Sequence, residues 1–148
     1  MKPSITALAL ALLPALSIAA PKWDEAAIVK AVGVKPISKK AEFDDGCNVK
    51  RYAFQKDPYM ELEFKCNRVN VAWAQYPEKG FEKKNQIALQ LATRAAAALS
   101  QGSGREVDDA MKGNVLRERS LLSDLTVGGS CSSATCLLTY HPPRQKRY

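Results

Sequence analysis

Histidine is nearly missing from this chain: His141 is the single one in 148 residues. Without a second, neither a two-histidine hydrolytic site nor a zinc centre with three histidine ligands can be assembled. H-E-x-x-H, G-x-S-x-G and a glycine-rich phosphate loop are also missing, which removes the common hydrolase and nucleotide-binding signatures. Gly128-Gly129 reads instead as hairpin backbone that turns or lies close to a neighbour. There is no internal repeat and no low-complexity linker. Beyond the N-terminus no stretch approaches the ~18 apolar residues that cross a bilayer. Nothing in the sequence asks for a cofactor.

What is present starts at the N-terminus. Lys2 supplies a short positive region, and Ile5 to Ile18 is a run of Ala, Leu and Ile broken by Thr6, Pro14 and Ser17. That run is too short to span a membrane and reads as a cleavable secretory signal. Ser17 and Ala19 put small residues where a signal peptidase reads, so cleavage is expected after Ala19; Pro21 disfavours a cut one residue later. The expected organisation is a signal peptide over 1–19, a single domain over 20–140 and an exposed basic tail over 141–148. Export to the extracellular side is implied, or to the periplasm in a bacterium, with no membrane association after cleavage.

All four cysteines, Cys47, Cys66, Cys131 and Cys136, lie beyond the signal. In an exported chain an even count reads as two disulfides. A four-thiolate zinc site is the alternative, but neither pair has C-x2-C spacing, so no metal is expected. Hairpin geometry suggests the connectivity. A four-residue loop at Gln55-Lys56-Asp57-Pro58 sets residue 54 opposite 59 and Cys47 opposite Cys66. It also aligns Val49 with Phe64, Arg51 with Leu62 and Ala53 with Met60 on one mostly apolar face, Arg51 being the exception, with Lys50 by Glu63 and Tyr52 by Glu61 on the other. A two-residue loop at Asn67-Arg68 continues that face through Val69, Val71 and Trp73, giving a three-stranded meander over 48–74. A loop inside Cys131-Ser-Ser-Ala-Thr-Cys136 sets Val127 opposite Tyr140 and Gly129 opposite Leu138, again with the apolar residues on the cysteine face. The expected bridges are Cys47 to Cys66 and Cys131 to Cys136, worth roughly 3 and 2 kcal/mol by loop closure.

Between these hairpins, Glu82 to Ser100 is rich in Ala, Leu, Gln and Lys, with Ile87, Leu91, Ala95 and Leu99 at helical spacing, and Gly102 closes it. Ser103 and Glu106 spell a capping box for a short helix through Lys112 that stops at Gly113. Asp24 can cap a first helix reaching Val32, with Trp23 on Ile28 as a staple and Gly33 at its end. Residues 34–46 read as a loop, and Asn114 to Leu122 as an interrupted strand. Helix, meander, two helices and a terminal hairpin without regular alternation make an α+β fold, an antiparallel sheet covered by helices.

One enzyme layout fits: small basic secreted microbial ribonucleases resemble this arrangement, and Glu118, Arg119 and His141 would then supply carboxylate, arginine and histidine. An interrupted strand explains Glu118 and Arg119 equally well. Loss of Lys2 with the signal takes the net charge from +7 to +6. The basic residues are scattered rather than gathered among aromatics, so nucleic acid is not the expected partner.

A signal peptide, a short mature domain, even cysteines and no enzyme motif make the layout similar to the small secreted effectors of plant-colonising fungi. That resemblance implies a non-enzymatic protein that interferes with a host protein, for instance by inhibiting a defence protease, although no cystatin-like Q-x-V-x-G loop is present. The expected contacts are Asp57 and Pro58 in the first turn, Ser132 and Ser133 in the disulfide loop, and Arg144, Lys146 and Arg147 in the tail. A periplasmic immunity protein that neutralises a toxin would share this layout.

Overall fold

The computed structural model describes residues 23–143. The expected signal peptide and residues 144–148 of the tail, including Arg144, Lys146 and Arg147, lie outside the described residues. Three helices, α1 (Glu25–Ala31), α2 (Glu82–Ser100) and α3 (Arg105–Met111), cover one face of an antiparallel sheet, as the α+β reading expects. The strands are β1 (Ser38–Asp44), β2 (Cys47–Gln55), β3 (Met60–Lys65), β4 (Arg68–Ala74), β5 (Leu116–Ser120), β6 (Thr126–Cys131) and β7 (Thr135–His141). Their spatial order is β1-β2-β3-β4-β7-β6-β5: an N-terminal and a C-terminal meander joined edge to edge between β4 and β7.

Burial follows the pleat, because successive strand residues face opposite sides. Tyr52, Phe54, Met60, Leu62, Phe64, Val69, Val71, Trp73, Val127, Leu138 and Tyr140 form one cluster with the helices. α2 meets these large side chains with Leu91 and Leu99 and with Ala88, Ala92, Ala95 and Ala96, small residues that let the helix settle close to the sheet. Ile87, expected on this stripe, is 40% exposed, since the buried face is centred one residue further on.

Both disulfides form as expected, Cys47 to Cys66 and Cys131 to Cys136, with Cα separations of 5.4 and 4.0 Å. The C-terminal hairpin has the expected register, with Val127 opposite Tyr140, Gly129 opposite Leu138 and Cys131 opposite Cys136. The other two registers are corrected. β2 pairs with β3 one residue out from expectation: Arg51 faces Glu63, Tyr52 faces Leu62, and the register shifts again between Ala53 and Gln55. A one-residue slip exchanges faces, so Tyr52 and Phe54 point to the core and Arg51 to the outer face, which removes the one misfit in the expected pattern. The β3–β4 turn is at Cys66-Asn67 rather than Asn67-Arg68, with Lys65 opposite Arg68. That shift is even and leaves the apolar face intact.

Residues 34–46, expected to be a loop, contain β1, whose seven residues are all exposed. The capping box at Ser103 and Glu106 does not form. Gly104 occupies the cap position with φ +74° and no side-chain bond, and Glu106 turns inward to 3% exposure. Asp24 caps α1 as expected, its Oδ1 accepting from Ala27 N at 3.0 Å.

α1 is too short to hold its place by helix propensity. Glu25 ties it to β2, accepting from Lys50 Nζ at 2.8 Å and from the Tyr52 hydroxyl. Burial works to raise the Glu25 carboxyl, but the bonds from Lys50 and Tyr52 outweigh it and hold the pKa below its ordinary value. The stability this supplies is complete above the ordinary carboxylate range and is lost as pH falls through the depressed value. Glu25→Gln should cost about 1–2 kcal/mol at neutral pH and nothing once Glu25 is protonated, so wild-type and variant melting curves converge on acidification. A gap that persists in acid would assign the effect to packing.

A candidate docking edge at the first strand

β1 closes onto β2 through Asp45 and Gly46, both left-handed with φ +49° and +75°. That is the geometry of a two-residue type I′ hairpin, whose twist suits the flanking strands. Asp44 and Cys47 form its closing pair. Because hydrogen-bonding direction alternates along a strand, Ser38, Lys40, Glu42 and Asp44 bond inward to β2. Lys39, Ala41 and Phe43 direct their backbone groups to the open edge. The opposite edge is a poor template: β5 has five residues, and its register shifts between Leu116 and Arg119, where Glu118 has φ +45°.

Each face of the β1 edge carries a cavity. On the helix side, toward Asp44, an opening of about 740 Å³ is lined by Trp23, Glu25, Phe43, Lys50 and Phe64. On the outer face, toward Ser38, one of about 420 Å³ is lined by Ile37, Lys40, Arg51, Lys56, Tyr59 and Glu61. Phe43 and Ile37 are 73% and 62% exposed, large apolar groups placed at the two mouths. Lys35, Lys39, Lys40 and Lys56 gather toward the start of the strand, while toward its end Asp44 and Asp45 are paired with Lys65 and Glu42 with Arg51.

The floor beside the outer cavity is stiffened by a row of polar side chains running across the sheet. Arg51 bonds Glu42 on β1, and its Nε donates to Glu63 Oε2 at 2.8 Å. Asn70 Nδ2 donates to Glu63 Oε1 at 2.9 Å, and Thr139 Oγ1 donates to Asn70 Oδ1 at 2.8 Å. Glu61 is pushed up by burial; Arg51 counters the shift and Glu63 adds to it. Tyr59 is raised by burial and then by the neighbouring Glu61 charge.

Of the expected contact residues, Asp57 is exposed at the turn beside the outer cavity, but Pro58 is fully buried and presents no side chain to a partner. Its carbonyl instead accepts from Gln55 Nε2 at 2.8 Å. Ser132 and Ser133 are exposed, with Ser132 Oγ held by Thr135. The fold brings these two loops to the same end of the sheet: Ala74 N donates to Tyr59 O at 2.9 Å and Gln75 N to Ala134 O at 2.8 Å. No family model, curated protein or solved structure matches this chain.

The residues of the ribonuclease-like set are not assembled. Arg119 pairs across to Val127 on the helix side and donates to Asp109 at 2.8 Å. The His141 ring contacts Thr126 at 3.0 Å, and alternation with the buried Tyr140 places it on the outer face. The sheet itself separates the two. β1, with its Phe43 and the flanking Ile37, was missed because no apolar alternation marks it. Asp45-Gly46 was the available signal, a turn pair strongly suited to hairpins.

Proposed function

We propose that the chain is an exported, non-enzymatic binding protein that captures an extended segment of another protein as an added strand beside β1. The observation that carries this is a regular seven-residue edge strand, unpaired on its outer side among the described residues, with a cavity on each face. In strand addition, backbone hydrogen bonds supply affinity while pockets for alternate side chains supply selectivity. A partner strand with acidic residues near Ser38 matches the lysines gathered at that end of β1. Two disulfides support export, and among the described residues no helix is long and apolar enough to cross a membrane. A host protein bound by a secreted effector, or a toxin bound by an immunity protein, is engaged in this way.

Inhibition of a protease is a second reading, favoured by the Asp57 turn and the disulfide-closed loop at Ser132 and Ser133 projecting from one end of the sheet. Loss of inhibition of a secreted protease on Asp57→Ala and Ser133→Ala would support it.

The edge reading is tested with a library of seven-residue peptides in which bulky and charged residues alternate. Selected peptides should bind saturably and lose binding on N-methylation of alternate backbone nitrogens. Ala41→Pro removes an outward N–H that β2 does not use, so proline is tolerated there. It should leave the melting curve nearly unchanged and weaken peptide binding about tenfold, the equivalent of one hydrogen bond. Failure to select any peptide, or binding indifferent to both changes, would sink the proposal.

A further inference from the structure

A third cavity, of about 330 Å³, lies on the helix side at the far edge of the sheet, between the C-terminal end of α2, the start of α3 and the strand β5. Its lining includes Ser100, Arg105, Glu106, Arg119, Leu121 and Leu122. Ser100 and Glu106 are each 3% exposed. Ser100 Oγ, Glu106 Oε2 and Arg119 Nη2 are all buried without a hydrogen-bond partner among the described residues. The Tyr140 hydroxyl is likewise buried and unpartnered, and its phenol is driven far above its ordinary range by burial, with the Glu106 charge adding to the shift. Each buried polar atom left unpaired costs on the order of 1–3 kcal/mol, so several around one cavity form a set that a ligand can satisfy.

The charges narrow the ligand. Arg105 and Arg119 are cationic and Glu106 is anionic, while Asp109 already holds Arg119 Nη1 at 2.8 Å. The lining thus holds two guanidinium groups and one carboxylate, with Asp109 outside it against Arg119. A dianion such as phosphate would face the buried, unpartnered Glu106 Oε2, and a simple cation would face two guanidinium groups. Arg119 Nη2 offers a donor, Glu106 Oε2 an acceptor and Ser100 Oγ either, while Leu121 and Leu122 provide an apolar wall. The geometry points to a binding site for a small dipolar molecule, an α-amino acid with a short apolar side chain. Its carboxylate lies on Arg119, its ammonium on Glu106 and its side chain against the leucines. This site is independent of the β1 edge and lies at the opposite edge of the sheet, beside β5.

Isotope-labelled protein titrated with L-alanine, propionate and ethylamine tests it, because the last two each keep one pole. L-alanine should shift the amides of Gly102, Arg105 and Leu121 saturably, and bind at least about tenfold tighter than either single-pole probe. Glu106→Gln should remove that advantage while leaving propionate binding unchanged or tighter, and Ser100→Ala should weaken alanine binding less. No saturable shift from any probe at about 10 mM, where a millimolar site is filled, would mean that the cavity holds only water and overturn the assignment. Propionate binding as well as L-alanine would overturn it too, showing a plain anion site. If Glu106→Gln fails to fold, the comparison of the three probes on the unaltered protein still decides.

Discussion

Gly129→Ala should prevent this chain from folding stably. Gly129 has φ +146°, in the region side chains avoid, and a Cβ there would lie 2.0 Å from Leu137 O and 3.0 Å from the Leu138 Cα. Those are backbone atoms of β7, the strand that joins the two meanders, and they cannot move aside without breaking the pairing with β4. Backbone strain and overpacking add to a loss of about 4 kcal/mol, a large fraction of the stability of a small domain. Gly128→Ala is the matched control. Its nearest neighbours would be Leu116 O at 3.5 Å and Glu118 N at 3.7 Å, ordinary contacts, so its cost should stay below about 1 kcal/mol. Urea melts of the two variants check the contrast. Equal, small losses would show that β6 relaxes around Gly129 and that the two meanders are less tightly joined than the sheet implies.

What could be read from the sequence, and what could not, follows the same local physics. The β6–β7 register was legible because Cys131 and Cys136 fix a loop whose flanks alternate cleanly. The β2–β3 register was not. The turn occupies Lys56 to Tyr59 and the ladder shifts at Phe54, a defect that alternation cannot announce; Arg51 among apolar neighbours was its trace. β1 was invisible to hydrophobic patterning because all its residues are exposed. Its strand character comes from pairing with β2 and from the Asp45-Gly46 turn. Glu106 read as a surface cap because Ser103 sits three residues ahead of it. Gly104 takes the cap instead: a Cβ there would lie 2.4 Å from Thr93 O, so only glycine lets α3 press against α2, and that approach carries Glu106 inside. The docking edge and the buried polar cavity were therefore both hidden by features that pattern reasoning assigns to loops and caps.

Removing the Cys47–Cys66 bridge should separate stability from binding in a way that Ala41→Pro does not. This bond joins β2 to the Cys66-Asn67 turn at the end of the sheet where the β1–β2 hairpin also turns. Cys47 is the closing partner of Asp44, so the bridge anchors the edge strand through its own hairpin. The Cys47→Ser, Cys66→Ser double variant should lose about 3 kcal/mol by loop-closure entropy, whereas the Cys131→Ser, Cys136→Ser pair, closing a shorter loop, should lose about 2. Location distinguishes them further. Hydrogen exchange in β1 should accelerate more than in β7 for the first variant, and the reverse should hold for the second, because local opening follows local constraint. A β1 that must be ordered on binding pays conformational entropy that a pre-ordered edge does not. The first variant should therefore bind edge-directed peptides more weakly even under conditions where it remains folded, with its outward N–H groups all present. Ala41→Pro should lose binding with β1 protection retained. Equal protection loss at both edges in both variants would show that the disulfides act on the whole sheet, and would remove the reason to regard the first as the strut of the docking edge.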